Sequence, residues 1–261
     1  MQSDHVDVAF AAQVATVTLN RPDVRNAFNE AMIAELTDVF ESMGERQDVR
    51  AVVLAANGKA FCAGADLNWM KKMAAFSDDE NRADAMRLAN MLYAIWRCPQ
   101  PVIARVSGDA YAGGMGLIAA CDIVVAVDAA RFCLSEARLG LIPATIAPYV
   151  IRALGEQASR RYFTTAEQFD CATGLRLGLV SEMVAAERLD ATVQQIVETL
   201  VANSPHAVRE CKRLVQDVAG RALDTALIED TAARIARVRA SEEGREGVAS
   251  FLEKRAPAWR T

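Results

Sequence analysis

The chain has 261 residues, 52% of them hydrophobic, and a formal net charge of −5. That apolar content buries a large core and excludes a disordered chain, while the acidic balance, with no basic tract or basic–aromatic interleaving, argues against nucleic acid as the main partner. No apolar run approaches bilayer-spanning length and the start of the chain lacks a basic stretch leading into an apolar one, so the expectation is a soluble, cytoplasmic protein.

In chain order, "VATVTLN" (14–20) alternates at period two and predicts a strand, closed by the turn "RPDVRN". Phe28, Met32, Leu36, Val39, Phe40 and Met43 then recur at helical spacing until Gly44. "RAVVLAAN" (50–57) predicts a second strand, which enters the loop "GKAFCAGADL". A helix is expected over about 79–97, with Met86, Ala89, Leu92 and Trp96 on one side and Pro99 and Pro101 ending it. "PVIARVSG", "DIVVAVD" and "GLVSEMV" are further β-branched runs separated by helices, and that alternation implies crossover connections and an α/β architecture. Beyond about residue 186 only helices are expected. One is capped by Ser204 and Pro205, with Val208, Cys211, Val215 and Val218 as its apolar face, and another covers about 223–240. These apolar faces either pack on their own domain or build an oligomer interface.

The chemistry-bearing residues are few. Six cysteines show no close pair, so reduced, mostly buried thiols are expected rather than a zinc site or a disulfide framework. Only His5 and His206 are present, which leaves acid–base work to carboxylates. "AFCAGADL" and "YAGGMGLIAACD" each join a strand to a helix start through small residues, which let a ligand approach free backbone N–H groups. Two such loops meeting at one carbonyl would form an oxyanion hole. Neither loop fits the dinucleotide-binding glycine pattern.

"NRPDVRNAFN", "AFCAGADL", "SGDAYAGGMGLIAACDIVVA", "FCLSEARLGLIP" and "EGREGVASFLEKRAPAW" resemble, in order and spacing, the enoyl-CoA hydratase/isomerase (crotonase) superfamily over essentially the whole chain. The resemblance implies an α/β spiral of ββα repeats over residues 1–190 and a helical C-terminal oligomerisation region over 191–261, assembled as trimers or pairs of trimers. It implies an acyl-CoA substrate with no metal or redox cofactor, and a thioester carbonyl held by the amides of Ala65 and Gly113. Gly113 and Gly114 are then expected to be small so that the carbonyl is not blocked. Along the acyl-CoA the resemblance places Arg25, Ala27, Ala63, Asp66, Leu67, Gly114 and Leu141. Arg25 either meets a CoA phosphate or is an exposed turn residue, and Asp66 reads more readily as a helix cap than as an acid.

One departure stands out. Two-carboxylate hydratases carry Glu where this chain has Gly116, and only the second acid survives, as Glu136. Glu136 is expected to be partly buried, with a raised pKa. Gly116 is expected to vacate space beside the acyl chain. Asp109 and Tyr111 are candidates to hold the water that the missing acid would order, and Ser135 to orient Glu136. "AFCAGADLNWMKKMA" and the run from "FCLSEARLGLIPATIAPYVI" onward look like the bacterial methylglutaconyl-CoA hydratase group, with Lys71, Lys72 and Arg138 either partnering a distal carboxylate or, more readily, standing as solvated surface charges. Hydration of a branched 2-enoyl-CoA, isomerisation of a 3-enoyl-CoA by the single acid, and a non-catalytic acyl-CoA or RNA-binding role are the readings this sequence leaves open. Trp69, Trp96 and Trp259 are expected to be packing residues.

Overall fold

The computed structural model describes residues 4–260. The chain opens with an antiparallel hairpin of β1 (Val6–Ala11) and β2 (Val14–Leu19), followed by α1 (Glu30–Ser42). Three turns of a spiral follow. The first contains β3 (Ala51–Ala56), β4 (Ala60–Cys62), α2 (Leu67–Met73) and α3 (Asp78–Arg97). The second contains β5 (Val102–Val106), β6 (Asp109–Tyr111) and α4 (Gly113–Ala120). The third contains β7 (Ile123–Val127), β8 (Arg131–Cys133), α5 (Ala147–Leu154) and α6 (Glu156–Thr165). β9 (Phe169–Asp170), α7 (Cys171–Leu177) and β10 (Glu182–Val184) close the layered part, before α8 (Leu189–Ala202), α9 (Pro205–Val218), α10 (Thr225–Ala240) and α11 (Glu242–Leu252).

Each turn of the spiral leaves one strand in each of two sheets. The larger sheet runs β1-β2-β3-β5-β7-β10 and is parallel from β2 onward; the smaller runs β4-β6-β8-β9. Successive turns stack closely at their corners. A Cβ on Gly108, between β5 and β6, would stand 2.2 Å from the carbonyl oxygen of Lys59 in the preceding corner, so only glycine fits. β3, buried along its whole length, reads as an unbroken apolar run because both faces of a parallel sheet are covered, whereas β2 alternates buried with half-buried positions.

The strands and helices predicted from periodicity lie close to where it places them, but the smaller sheet is not read from it: β4 falls inside the expected loop "GKAFCAGADL", β8 and β9 match no predicted strand, and Phe28 precedes α1 and bridges Ala65 instead of opening the helix. β1 was not anticipated as a strand: its hairpin turn is made by Ala12 and Gln13, both with left-handed φ (47° and 66°), a geometry normally announced by Asn-Gly. "GLVSEMV" forms strand only over its last three residues. Four of the six cysteines are buried and all six are free thiols; Cys211 is exposed. No helix among the described residues is long and apolar enough to cross a membrane.

The C-terminal helices attach in a way the apolar pattern did not foretell. α8 lies across β3, β5 and β7. α9 starts at Ser204, whose hydroxyl accepts from Ala207 N, as the Ser-Pro pair predicts. Yet it has no fully buried residue, and Val215 on its supposed apolar face is 67% exposed. It is held instead by polar side chains reaching backbone carbonyls and one carboxylate: Lys212 Nζ to Gln100 O (3.1 Å) and to the Asp122 carboxylate (2.6 Å), Gln216 Nε2 to Trp96 O (2.6 Å), and Arg209 Nη2 to Arg46 O (3.3 Å). Lys212→Ala removes the contacts to Gln100 O and Asp122, although Asp122 Oδ2 keeps the Val102 N–H (2.7 Å). It is expected to weaken the docking of α9 by about 1–3 kcal/mol, seen as faster amide hydrogen exchange over 205–218 with unchanged protection in β3, β5 and β7.

Candidate active site

The smaller sheet brings three chain segments to one edge. β4 pairs in parallel with β6 and β6 with β8, so their C-terminal ends lie side by side, with neighbouring strands about 4.8 Å apart. Ala65 lies three residues beyond β4, Gly113 two beyond β6 and Glu136 three beyond β8. Open parallel sheets present their ligand sites at this carboxyl edge.

Ala65 is held by a parallel bridge to Phe28. Phe28 N donates to Gly64 O (2.7 Å) and Asp66 N donates to Phe28 O (2.8 Å). In that pairing the intervening residue turns its own N–H the other way, and no acceptor among the described residues takes the Ala65 amide. Gly113 is the first residue of α4, where a helix leaves N–H groups unpaired, and its amide likewise has no acceptor among the described residues. The two loops touch: a Cβ on Gly64 would lie 3.2 Å from Tyr111 O and 3.7 Å from Gly113 N. Between them Ala112 has φ 46° and ψ −117°, strained for a residue with a side chain, and its N–H is anchored to Cys133 O at the end of β8 (2.8 Å). Such strain, of about 1–3 kcal/mol, concentrates where function requires a fixed backbone direction.

Glu136 opens a short 3-10 turn that ends at Gly140 with left-handed φ. It is half-buried, and its Oε2 is a buried oxygen with no hydrogen-bond partner among the described residues. Burial pushes its carboxyl above the ordinary glutamate value. Ser135 makes no hydrogen bond to it among the described residues.

The glycines are explained by packing rather than by an open ligand space. A Cβ on Gly113 would meet the Phe28 ring at 2.6 Å, and one on Gly114 the carbonyl oxygen of Cys62 at 2.4 Å. The room in front of a substrate carbonyl is therefore not what restricts these positions. Gly116 does not vacate space either. A Cβ there would stand 2.3 Å from Ile146 Cγ2 and 2.8 Å from Ile146 Cβ, with Leu92 Cδ2 at 3.5 Å, and both of those residues are fully buried. Ile146, from "IPATIAPYVI", occupies the volume that a side chain at 116 would need.

Other expected site residues divide. Asp66 is the α2 cap, its Oδ1 accepting from Asn68 N (2.8 Å) and Trp69 N (3.3 Å), and it also pairs with Arg21. Burial pushes its carboxyl up, but those N–H groups and the guanidinium outweigh it and hold the group below the usual aspartate value. Arg25 is exposed with left-handed φ, and its carbonyl accepts from Ala63 N (3.0 Å). The Ala27 carbonyl accepts from Arg21 Nη1. Leu67 begins α2 largely exposed, and exposed Leu141 donates its N–H to Glu136 O (3.1 Å). Lys72 pairs with Glu30 (3.0 Å) and Arg138 donates to Ala166 O (2.5 Å), so both are engaged elsewhere, whereas Lys71 has no ion pair among the described residues. Asp109 and Tyr111 bond to each other (2.8 Å), Asp109 accepts from Arg131 N and the Tyr111 hydroxyl accepts from Gln168 Nε2. Trp69 is buried, Trp96 packs beside Tyr149, and Trp259 lies over Gly247. Sequence reasoning overlooks Arg21, Phe28 and Ile146, whose partners are remote along the chain. A cavity of about 1120 Å³ between β2, β3, β5 and α8 touches none of the three central groups.

A carboxylate with one unpartnered oxygen, beside two amides without acceptors among the described residues on adjacent strand ends, suits a substrate whose carbonyl oxygen gains negative charge while a neighbouring carbon exchanges a proton. The family model for enoyl-CoA hydratase/isomerase matches residues 9–261, and the chain belongs to that family. A solved enoyl-CoA hydratase from Shewanella pealeana is 42% identical and superposes with a TM-score of 0.95, covering 98% of this chain and 96% of its own. AtuE of Pseudomonas aeruginosa is 34% identical with a TM-score of 0.93, over 98% and 99% of the two chains. Enoyl-CoA hydratase ACTT6 of Alternaria alternata is 32% identical over 249 residues, 94% of this chain and 80% of that protein. The α/β architecture with a crotonase fold, read first from the motifs, stands, and an enoyl-CoA thioester is the substrate class.

Two measurements check this packing and electrostatics. Gly116→Ala is expected to destabilise by about 1–3 kcal/mol and Ile146→Ala by about 2–5 kcal/mol, while the double variant costs less than their sum in denaturant unfolding, because each relieves the other. The raised folded-state pKa of Glu136 means that its ionised form is disfavoured in the native chain, so stability is fullest below the ordinary glutamate value and falls as pH rises through the raised one. Glu136→Gln is therefore expected to raise the Tm at neutral pH and to leave it unchanged near pH 4.

Proposed function

We propose that the protein hydrates a branched 2-enoyl-CoA thioester, with 3-methylglutaconyl-CoA or a related glutaconyl-CoA as its substrate. The observation that carries this reading is the buried Glu136 Oε2 on the strand end next to the Gly113 amide, with the Ala65 amide one strand further, none of the three having a hydrogen-bond partner among the described residues. The thioester oxygen lies between the two amides. Glu136, ionised, takes a proton from water as the water oxygen bonds to C3, and the electron pair of the double bond moves through C2 onto the carbonyl oxygen. Glu136 then returns that proton to C2, the carbonyl re-forms, and the acid is ionised again. Each amide is worth about 2.7–4 kcal/mol where such donors have been removed from other oxyanion holes. CoA enters as part of the substrate, and the step as written draws on no further cofactor.

A distal carboxylate on the substrate finds its cation in Lys71, the one of the three candidates without a competing partner among the described residues. The branched acyl group rests on the sequence resemblance. The apolar sides of α10 and α11, where Phe251 is 81% exposed, support the assembly of copies into trimers through the region beyond about residue 190. Isomerisation of a 3-enoyl-CoA is a second reading, favoured by Ile146 filling the place of another acid: Glu136 would carry a proton from C2 to C4 with no water consumed.

Incubation with a panel of 2- and 3-enoyl-CoA esters in ¹⁸O-labelled water decides between the two. Oxygen incorporation with loss of enoyl absorbance is expected; a gain in conjugation from the 3-enoyl ester without oxygen uptake establishes the isomerase instead. Glu136→Gln is expected to keep CoA-ester affinity and lose turnover by about 10³-fold or more. In the unaltered protein kcat/KM should fall as pH drops, through a single ionisation lying above the ordinary glutamate value.

A further inference from the structure

One segment supports both amides. The backbone of Phe28 grips the peptides on either side of Ala65, while its buried ring fills the place of a side chain on Gly113. What anchors that segment is Arg21. Its Nη1 donates to the Ala27 carbonyl (2.6 Å), its Nη2 pairs with Asp66 Oδ2 (3.0 Å), and its backbone N–H donates to Asn26 Oδ1 (2.8 Å). Asn26, fully buried, passes the load to the carbonyls of Asn57 (2.8 Å) and Ala60 (3.0 Å), at the corner that leads into β4. The Arg21 and Asp66 side chains are 18% and 8% exposed, so this is not a solvent-screened surface pair. A planar guanidinium directs its donors in fixed directions that an ammonium group does not reproduce.

We propose that Arg21 is a positioning residue for the amide pair: its fork ties the carbonyl preceding Phe28 to the carboxylate following Ala65, and thereby sets the separation and aim of the Ala65 and Gly113 N–H groups. The inference rests on the reading of those amides as the receivers of the thioester oxygen. Arg21 acts on them through Ala27, Phe28 and Asp66 and is not itself a catalytic residue. Because the charge on oxygen develops only as the reaction proceeds, loosening the pair lowers kcat more than it alters KM.

The test uses the full chain and, as probe, an aryl-conjugated 2-enoyl-CoA thioester, whose absorption moves to longer wavelength when its carbonyl is polarised. Steady-state kinetics are followed in parallel with a 2-enoyl-CoA that the unaltered protein turns over. Arg21→Gln removes the fork. Asp66→Asn removes the ion pair but keeps a side chain that caps α2 as well as Asp does, so it serves also if Arg21→Gln fails to fold. Both are expected to lose more than half of the wavelength shift and to lower kcat by about 10- to 100-fold, with KM held within about threefold. Arg21→Lys should fall between them and the unaltered protein. A full shift with unaltered kcat in Asp66→Asn overturns the proposal, as does a change confined to KM. If the unaltered protein binds the probe with no shift at all, the amide-pair reading itself falls, a result distinct from the loss of shift in the variants alone.

Discussion

The parallel register of three very short strands is the constraint on which the rest depends. β4, β6 and β8 each have three residues, too few to be stable by themselves, yet their pairing fixes which backbone atoms emerge at a common edge. They are held by the larger sheet behind them, since every turn of the spiral places one strand in each layer. The buried apolar runs of β3, β5 and β7 supply the hydrophobic stabilisation, and the shorter strands inherit their positions from it. A slip of one residue would turn an amide or the carboxylate away from the edge.

The edge is costly to maintain. Among the described residues it leaves two N–H groups without acceptors, an alanine with positive φ and a half-buried carboxylate with one oxygen unanswered. Each would relax in isolation, and each is kept by contacts that come from outside its own loop. The Cys133 carbonyl holds Ala112, Phe28 holds the peptides around Ala65, and Leu141 closes on the Glu136 carbonyl. Local strain at such a site is sustained by surroundings that over-determine it.

Much of this was visible in the amino-acid sequence, for reasons of period and punctuation. Helices α1 and α3 announce themselves by apolar spacing, and α3 also by Pro99 and Pro101 beyond its end; its Ser77–Glu80 capping box was not read. The central strands announce themselves as β-branched runs. The motif resemblance directed attention to Ala65, Gly113 and Glu136, and the strand pairing gathers those three at one edge. What could not be read were contacts across long sequence separations. Arg21 meets Asp66 45 residues later, and Ile146 meets Gly116 through helix packing that no local pattern encodes. The same limit explains α9. Its spacing gives an amphipathic face, but Lys212, Arg209 and Gln216 find backbone carbonyls that a hydrophobicity pattern does not register.

The interlock of Gly116 with Ile146 also constrains how this site can change by single substitutions. A bulky residue introduced at 116 first would be driven into a stiff, β-branched neighbour with nowhere to move, whereas trimming Ile146 first opens a void that a later, larger residue at 116 can fill. Traffic between a one-acid and a two-acid site therefore has a preferred order of steps, and a designer who grafts a second carboxylate onto this scaffold must begin on α5's approach rather than on α4.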